Sequence, residues 1–294
     1  MGLTIHYTIK LPRQTSEKAV IAKLEQLRQR CLDLPFKEVS PKLIDMTNAQ
    51  VKASYEKRDD PHRWFGIQAS GQYVNWHYDN CGNVVPGYPK GKSRVGTYSR
   101  GVMPLRVVGF STWPGEGCEE ANVGLCIYPE TIEVAADTSC RSFALPEGHK
   151  VATLKTKLNG WRWGSFCKTQ YANSPDCGGL PNFLQCHLTV IAMLDAAKEL
   201  GFKVEVSDEG DFWEKRDVKA LAAEIGNWDK MIAGLFGAMK DAVAASGTGL
   251  VVESAMSGRK DFEKLEAAAA GDPKAAQTAA ALAKMFASAK TPTA

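Results

Sequence analysis

Residues Gly160 to Asp217 read GWRWGSFCKTQYANSPDCGGLPNFLQCHLTVIAMLDAAKELGFKVEVSDEGDFWEKRD, and this stretch holds a complete strand, helix and strand unit. Trp161 to Tyr171 alternates like a strand, with Cys167, Thr169 and Tyr171 on one face and Lys168 and Gln170 on the other. Glycine and proline then break the chain before a long apolar-periodic run. Pro181 suits the first helical position and Gly201 suits the stop, so the spacing predicts a helix over 181–200. Phe202, Val204 and Val206 share one face of the strand that follows. The stretch ends in a dense acidic and aromatic run, SDEGDFWEKRD.

The N-terminal segment follows the same order. Leu3, Ile5, Tyr7 and Ile9 point one way and Thr4, His6, Thr8 and Lys10 the other, the pattern of a half-buried strand. Ser16 is placed to cap a helix running to about Asp33, with Ala19, Ile21, Leu24 and Leu27 as its apolar stripe. Leu34-Pro35 ends that helix, and Phe36 to Met46 reads as a second strand. Two units of this order point to a duplicated β-α-β core, although no residue-level repeat joins them. Between them, residues 48–62 are polar and read as a loop or short helix. Residues 63–134 are rich in short β-type runs such as FGIQASGQYVNW and LRVVGFSTW, and 80–99 reads as a long exposed loop.

Beyond Asp217 the character turns helical. Val218, Leu221, Ile225, Trp228, Ile232, Leu235, Met239 and Ala242 recur in steps of three and four, the seam of a packed helix. Gly226-Asn227 predicts a break into two helices, and Asp272-Pro273 the start of a last one. The fold class expected is α+β: a mixed or antiparallel sheet core over residues 1–212 and a helical C-terminal region over 213–294.

Bulk properties narrow the function. Apolar residues make up 44% of the 294 and charged residues 23%, which places the chain among globular proteins rather than disordered ones. A net charge of +3 sets up no field that nominates nucleic acid as a partner, and no apolar run is long enough to span a bilayer. The start MGLTIHYTIKLP lacks the pattern of a secretory signal, so a cytoplasmic location is expected. The eight cysteines include no Cys-x-x-Cys pair and read as reduced, mostly buried thiols.

Three constellations carry candidate chemistry. The sharpest is a pair of His-x-Thr tripeptides, His6-Tyr7-Thr8 and His187-Leu188-Thr189. Paired motifs of this kind resemble the two-histidine phosphoesterases, which cleave phosphodiesters within a bilobal α+β fold; the likeness covers six residues. It implies the two histidines as general base and acid, here His6 and His187, with hydroxyls such as that of Thr8 on phosphate; Lys168, outside the motifs, is a further candidate to hold phosphate. On a strand His6 and Thr8 point the same way. On a helix residues two apart diverge by about 200°, so His187 has a second reading: a hydrogen-bonded core histidine on the face of Phe183, Val190, Ile191 and Leu194.

The second constellation is carboxylate-rich. Glu116 and Glu119 lie on a glycine-containing loop, and Asp208 and Glu209 follow a strand. If the two loops met they would supply oxygen ligands for a divalent metal, with Trp113 and Trp213 lining a polar ligand pocket. The third is Cys167, a nucleophile if His187 approached it and Asp208 oriented that histidine, and otherwise a buried thiol. Together these predict a hydrolase acting on a phosphoester or other small polar substrate. The alternative is a non-catalytic binding or assembly protein that self-associates through its C-terminal helices.

Overall fold

The structure, a computed structural model, describes residues 3–79, 83–90, 97–134, 152–246 and 262–270. Its strands in chain order are β1 (Thr4–Leu11), β2 (Glu38–Val39), β3 (Ile44–Thr47), β4 (Tyr73–Tyr78), β5 (Val84–Pro86), β6 (Thr97–Gly101), β7 (Arg106–Phe110), β8 (Thr112–Trp113), β9 (Val123–Ile127), β10 (Thr131–Val134), β11 (Ala152–Lys155), β12 (Trp161–Lys168) and β13 (Lys203–Asp208). The helices are α1 (Glu17–Leu32), α2 (Asn48–Glu56), α3 (Arg63–Ala69), α4 (Gly179–Glu199), α5 (Phe212–Lys215), α6 (Val218–Ser246) and α7 (Phe262–Ala270).

The centre is a six-stranded sheet of order β13-β1-β12-β9-β7-β3, antiparallel at every neighbouring pair. An α+β fold with an antiparallel sheet is therefore what the chain adopts. Strands β12 and β13 both run antiparallel to β1, so they are parallel to each other with β1 between them. Helix α4 is the crossover that such a pair requires. The N-terminal unit is placed differently. Its α1 leads to β3 at the far edge, with β12, β9 and β7 between β3 and β1.

Alternation on β1 decides what each face of the sheet carries. Ile5, Tyr7 and Ile9 are buried, whereas His6 is exposed and Thr8 and Lys10 are half-buried. The buried side receives α1 through Val20, Leu24, Leu27 and Cys31, and α4 through Phe183, Val190, Ile191 and Leu194. Ser16 caps α1 as its chemistry dictates, accepting the Ala19 amide at 3.3 Å. Helix α3 packs against β12, where Phe65 stacks on Trp163 at 4.8 Å between ring centroids. Two opposed glycines make room for that stack: a Cβ on Gly124 would lie 2.9 Å from the Trp163 ring, and one on Gly109 2.7 Å from Phe65.

Four local expectations are corrected. Helix α4 begins at Gly179, so Pro181 is its third residue, still within the first turn where a missing N–H costs nothing. The run from Phe36 to Met46 is two strands in two sheets, β2 on β8 and β3 on β7, interrupted around Pro41. The first half of FGIQASGQYVNW is helix α3, because Phe65 and Ala69 are buried four residues apart on one helical face. Gly226-Asn227 does not break the C-terminal helix: α6 is continuous over 29 residues, and burial of Leu221 and Ile225 outweighs the roughly 1 kcal/mol that a mid-helix glycine costs. The expected helix at Asp272-Pro273 lies outside the described residues. Among the described residues no helix is long and apolar enough to cross a membrane.

Candidate functional site

The outward face of β1 opens into a cleft of about 550 Å³. Its floor follows from strand register. His6 is opposite Phe166 on β12 and Ser207 on β13, and Thr8 is opposite Gly164 and Glu205, so these residues share one face. His6 sits 5.8 Å from the Phe166 ring, centroid to centroid. The wall comes from α3, the turn after it and the start of β4, which contribute Trp64, Gln68, Gln72 and Tyr73. Trp64 is 42% exposed and Tyr73 63%, so two large aromatic faces stand open beside the floor.

Two features of this cleft bear on what it takes. Gln68 lines it while 92% buried, and neither its amide nitrogen nor its amide oxygen has a protein partner. A buried amide in that state finds its partners in a bound molecule or ordered water. The second feature is charge. Among the described residues, those that line the cleft include no lysine or arginine. Glu205, at its edge, is held ionised: hydrogen bonds from Lys10 at 2.7 Å and Lys203 at 3.0 Å push its carboxyl down to about 2.

The second His-x-Thr tripeptide lies elsewhere. His187 is on α4, fully buried, between Thr169 and Asp208. Its Nδ1 shares a 3.0 Å hydrogen bond with the Thr169 hydroxyl, and its Nε2 lies 3.2 Å from the Asp208 carboxylate. Asp208 also accepts the amides of Gly210 and Trp213, each at 2.9 Å. Burial pushes the Asp208 carboxyl up, but the hydrogen bond and charge of His187 and the two amides outweigh it, leaving it below the ordinary carboxylate range. Asp208 is opposite Ile5, so it belongs to the buried side of the sheet and His6 to the other. The two histidines therefore do not share a site. Thr189 points back along its own helix and donates to the Gln185 carbonyl at 2.7 Å.

The remaining candidates are dispersed. Lys168 is opposite Thr4 at the end of β12, on the His6 face but not among the residues lining the cleft. Glu116 pairs with Lys37, Glu209 accepts the Thr4 amide at 3.0 Å, and Glu119 holds the Cys167 thiol through its backbone carbonyl at 3.2 Å. Among the described residues no group of three or more His, Cys, Asp or Glu side chains is placed to hold a metal ion. Glu116, Glu119, Asp208 and Glu209, expected to hold a divalent metal, are not brought together in such a group.

Trp113 lies under Lys37, and Trp213 under Lys198 and Arg216, so both indoles are engaged by cations away from the cleft. Cys167 is buried, and burial pushes its thiol well above the usual range, the state of a structural thiol.

Sequence reading found His6 and Thr8 but missed Gln68, Gln72, Trp64 and Tyr73. The available signal was the GIQASGQY run, whose two glutamines and flanking aromatics stand out once it is split into a helix and a turn. Two further clefts, of about 670 and 570 Å³, carry none of the sequence candidates. Comparison with family models, with curated proteins and with solved structures found no match to this chain.

Proposed function

We propose that the protein binds a small, uncharged polar substrate in the His6 cleft and hydrolyses it, with His6 taking the proton from the attacking water. One observation carries this reading: an exposed imidazole, two hydroxyls and an unpartnered buried amide converge on a cleft of ligand size between open aromatic rings. Thr8 and Ser207 offer donors and acceptors beside the imidazole. Glu205 serves as a fixed negative charge at the rim rather than as an acid, because its lysine partners keep it ionised. A phosphoester is the poorer match, since no lysine or arginine among the described lining residues would receive its charge.

Assembly through the C-terminal helices has less behind it. Leu221 and Ile225, the second and third positions of the expected seam, are buried in the chain's own core, while Val218, the first, is exposed.

The test is hydrolysis of p-nitrophenyl acetate, a p-nitrophenyl glycoside and bis(p-nitrophenyl) phosphate by wild type and His6→Ala. The expected result is turnover of a neutral substrate that falls by at least about 100-fold in the variant. Equal rates in the two proteins, or turnover of the phosphodiester alone, would overturn the reading.

A further inference from the structure

The side-chain amide of Gln68 calls for a particular kind of partner. It lines the His6 cleft, buried, with neither its nitrogen nor its oxygen bonded to protein. A primary amide presents its donor and its acceptor side by side in one plane. What satisfies both at once is a second flat group carrying the reverse pair along one edge. The edge of a nucleobase is such a group: an exocyclic amine beside a ring nitrogen, as in adenine, or a ring N–H beside a carbonyl, as in uracil. The surroundings suit the face of the same group. Trp64 and Gln68 are four residues apart on α3, so indole and amide lie side by side on one face of the helix. Trp64 and Tyr73 both line the cleft and are exposed, as stacking platforms for a base would be. The floor is low at Gly164, where an added Cβ would come within 3.1 Å of the Gln72 amide nitrogen.

We propose that the substrate of the His6 cleft is a nucleoside, the edge of its base paired with the Gln68 amide and the face of its base against Trp64. This rests on the reading of the cleft as a substrate site and adds the class of substrate. Charge favours the nucleoside over its phosphate. The described lining residues include no lysine or arginine, and Glu205 stands at the edge of the cleft. A plain sugar fits less well. It carries hydroxyls all round and would need several buried partners, whereas a base is apolar on both faces and concentrates its polarity on its edges. One buried amide beside open rings matches the base.

The experiment is calorimetric titration of the full chain with adenosine, uridine, adenosine monophosphate and cellobiose, in wild type, Gln68→Leu and Trp64→Ala. Leucine is close to glutamine in size and removes only the amide, which has no protein partner, so the urea midpoint of Gln68→Leu is expected to match wild type. Expected is one-to-one binding of at least one of the two nucleosides, weakened about tenfold or more by either substitution. Adenosine monophosphate is expected to bind several-fold more weakly than adenosine.

Overturning results are no binding of either nucleoside at millimolar concentration, or binding that Gln68→Leu leaves unchanged. Cellobiose binding with the same dependence on Gln68, or adenosine monophosphate binding more tightly than adenosine, would overturn it equally. Should Gln68→Leu fail to fold, Trp64→Ala decides, because that ring is exposed. The p-nitrophenyl assays keep the two readings apart. Hydrolysis that depends on His6 without nucleoside binding strikes the substrate class alone. Nucleoside binding that depends on Gln68 without hydrolysis strikes the hydrolytic reading alone.

Discussion

The two His-x-Thr tripeptides are the same pattern with opposite outcomes. His6-Tyr7-Thr8 lies on a strand, where residues two apart share a face, and both side chains reach one open cleft. His187-Leu188-Thr189 lies on a helix, where the same spacing separates them. There His187 turns into the core to join Thr169 and Asp208, while Thr189 bonds back to its own helix. Backbone period, not residue identity, decides which tripeptide presents a site. Burial then sorts the roles: a histidine with both nitrogens engaged and no exposure is a structural part, and an exposed one beside unpartnered groups is available for chemistry.

If that contrast holds, the buried cluster answers in stability and the cleft in function. The largest effect belongs to Asp208→Ala, which leaves the His187 imidazole and two amides without their acceptor. A loss of about 3–5 kcal/mol is expected in urea unfolding, the range for breaking a buried, hydrogen-bonded charged group. His187→Leu follows at about 2–4 kcal/mol, because it strands the Asp208 carboxylate and the Thr169 hydroxyl. A loss below about 0.5 kcal/mol in both would dissolve the contrast.

Asp208 also gives the contrast a pH signature. Its carboxyl is held below the ordinary value in the folded chain, so its contribution is complete above the unfolded value near 4 and fades as pH falls through the folded one. The stability gap between wild type and Asp208→Asn is therefore full at pH 6 and narrows below about pH 4. A gap constant from pH 6 to pH 3 would show that the carboxylate charge does not contribute.

How much of this was legible follows from the same periods. The strand at 3–10, the Ser16 cap, the long helix before Gly201 and the strand after it could all be read, because each has a strong local signal: alternation, a capping side chain, or glycine at a stop. The order β13-β1-β12 could not be, since pairing across 150 residues or more leaves no trace in local pattern. Helix α3 was hidden by an ambiguity. Phe65, Ile67 and Ala69 alternate as a strand would, yet Phe65 and Ala69 also fit one helical face. Missing that helix meant missing Gln68 and Trp64, and with them the wall of the cleft. The acidic loops are not brought together: Glu116 pairs with Lys37, Glu209 accepts the Thr4 amide and Asp208 turns to His187.

On the cleft side, His6→Ala should leave stability within about 0.5 kcal/mol of wild type, as for an exposed strand position, while turnover of a neutral substrate collapses. Trp64→Ala should weaken substrate binding by about tenfold, the worth of one aromatic contact near 1.4 kcal/mol, and quench part of the fluorescence change on binding. Unfolding of His6→Ala at much lower urea would place that residue in the fold rather than in a site.

The smallest effect tests the comparison at its most literal point, the two threonines. Thr189→Val keeps the buried shape and removes only the hydroxyl. The carbonyl it serves, Gln185, lies within the helix and keeps its backbone partner, so nothing is left unsatisfied. A change below about 1 kcal/mol in stability, and none in turnover, is expected. Thr8→Val makes the same chemical change on the strand, where the hydroxyl faces the cleft beside His6. It should leave stability equally untouched but raise KM for a neutral substrate several-fold. Equal kinetic effects from the two substitutions would mean that the helix tripeptide reaches the reacting atoms after all, and the division between the faces of β1 would have to be redrawn.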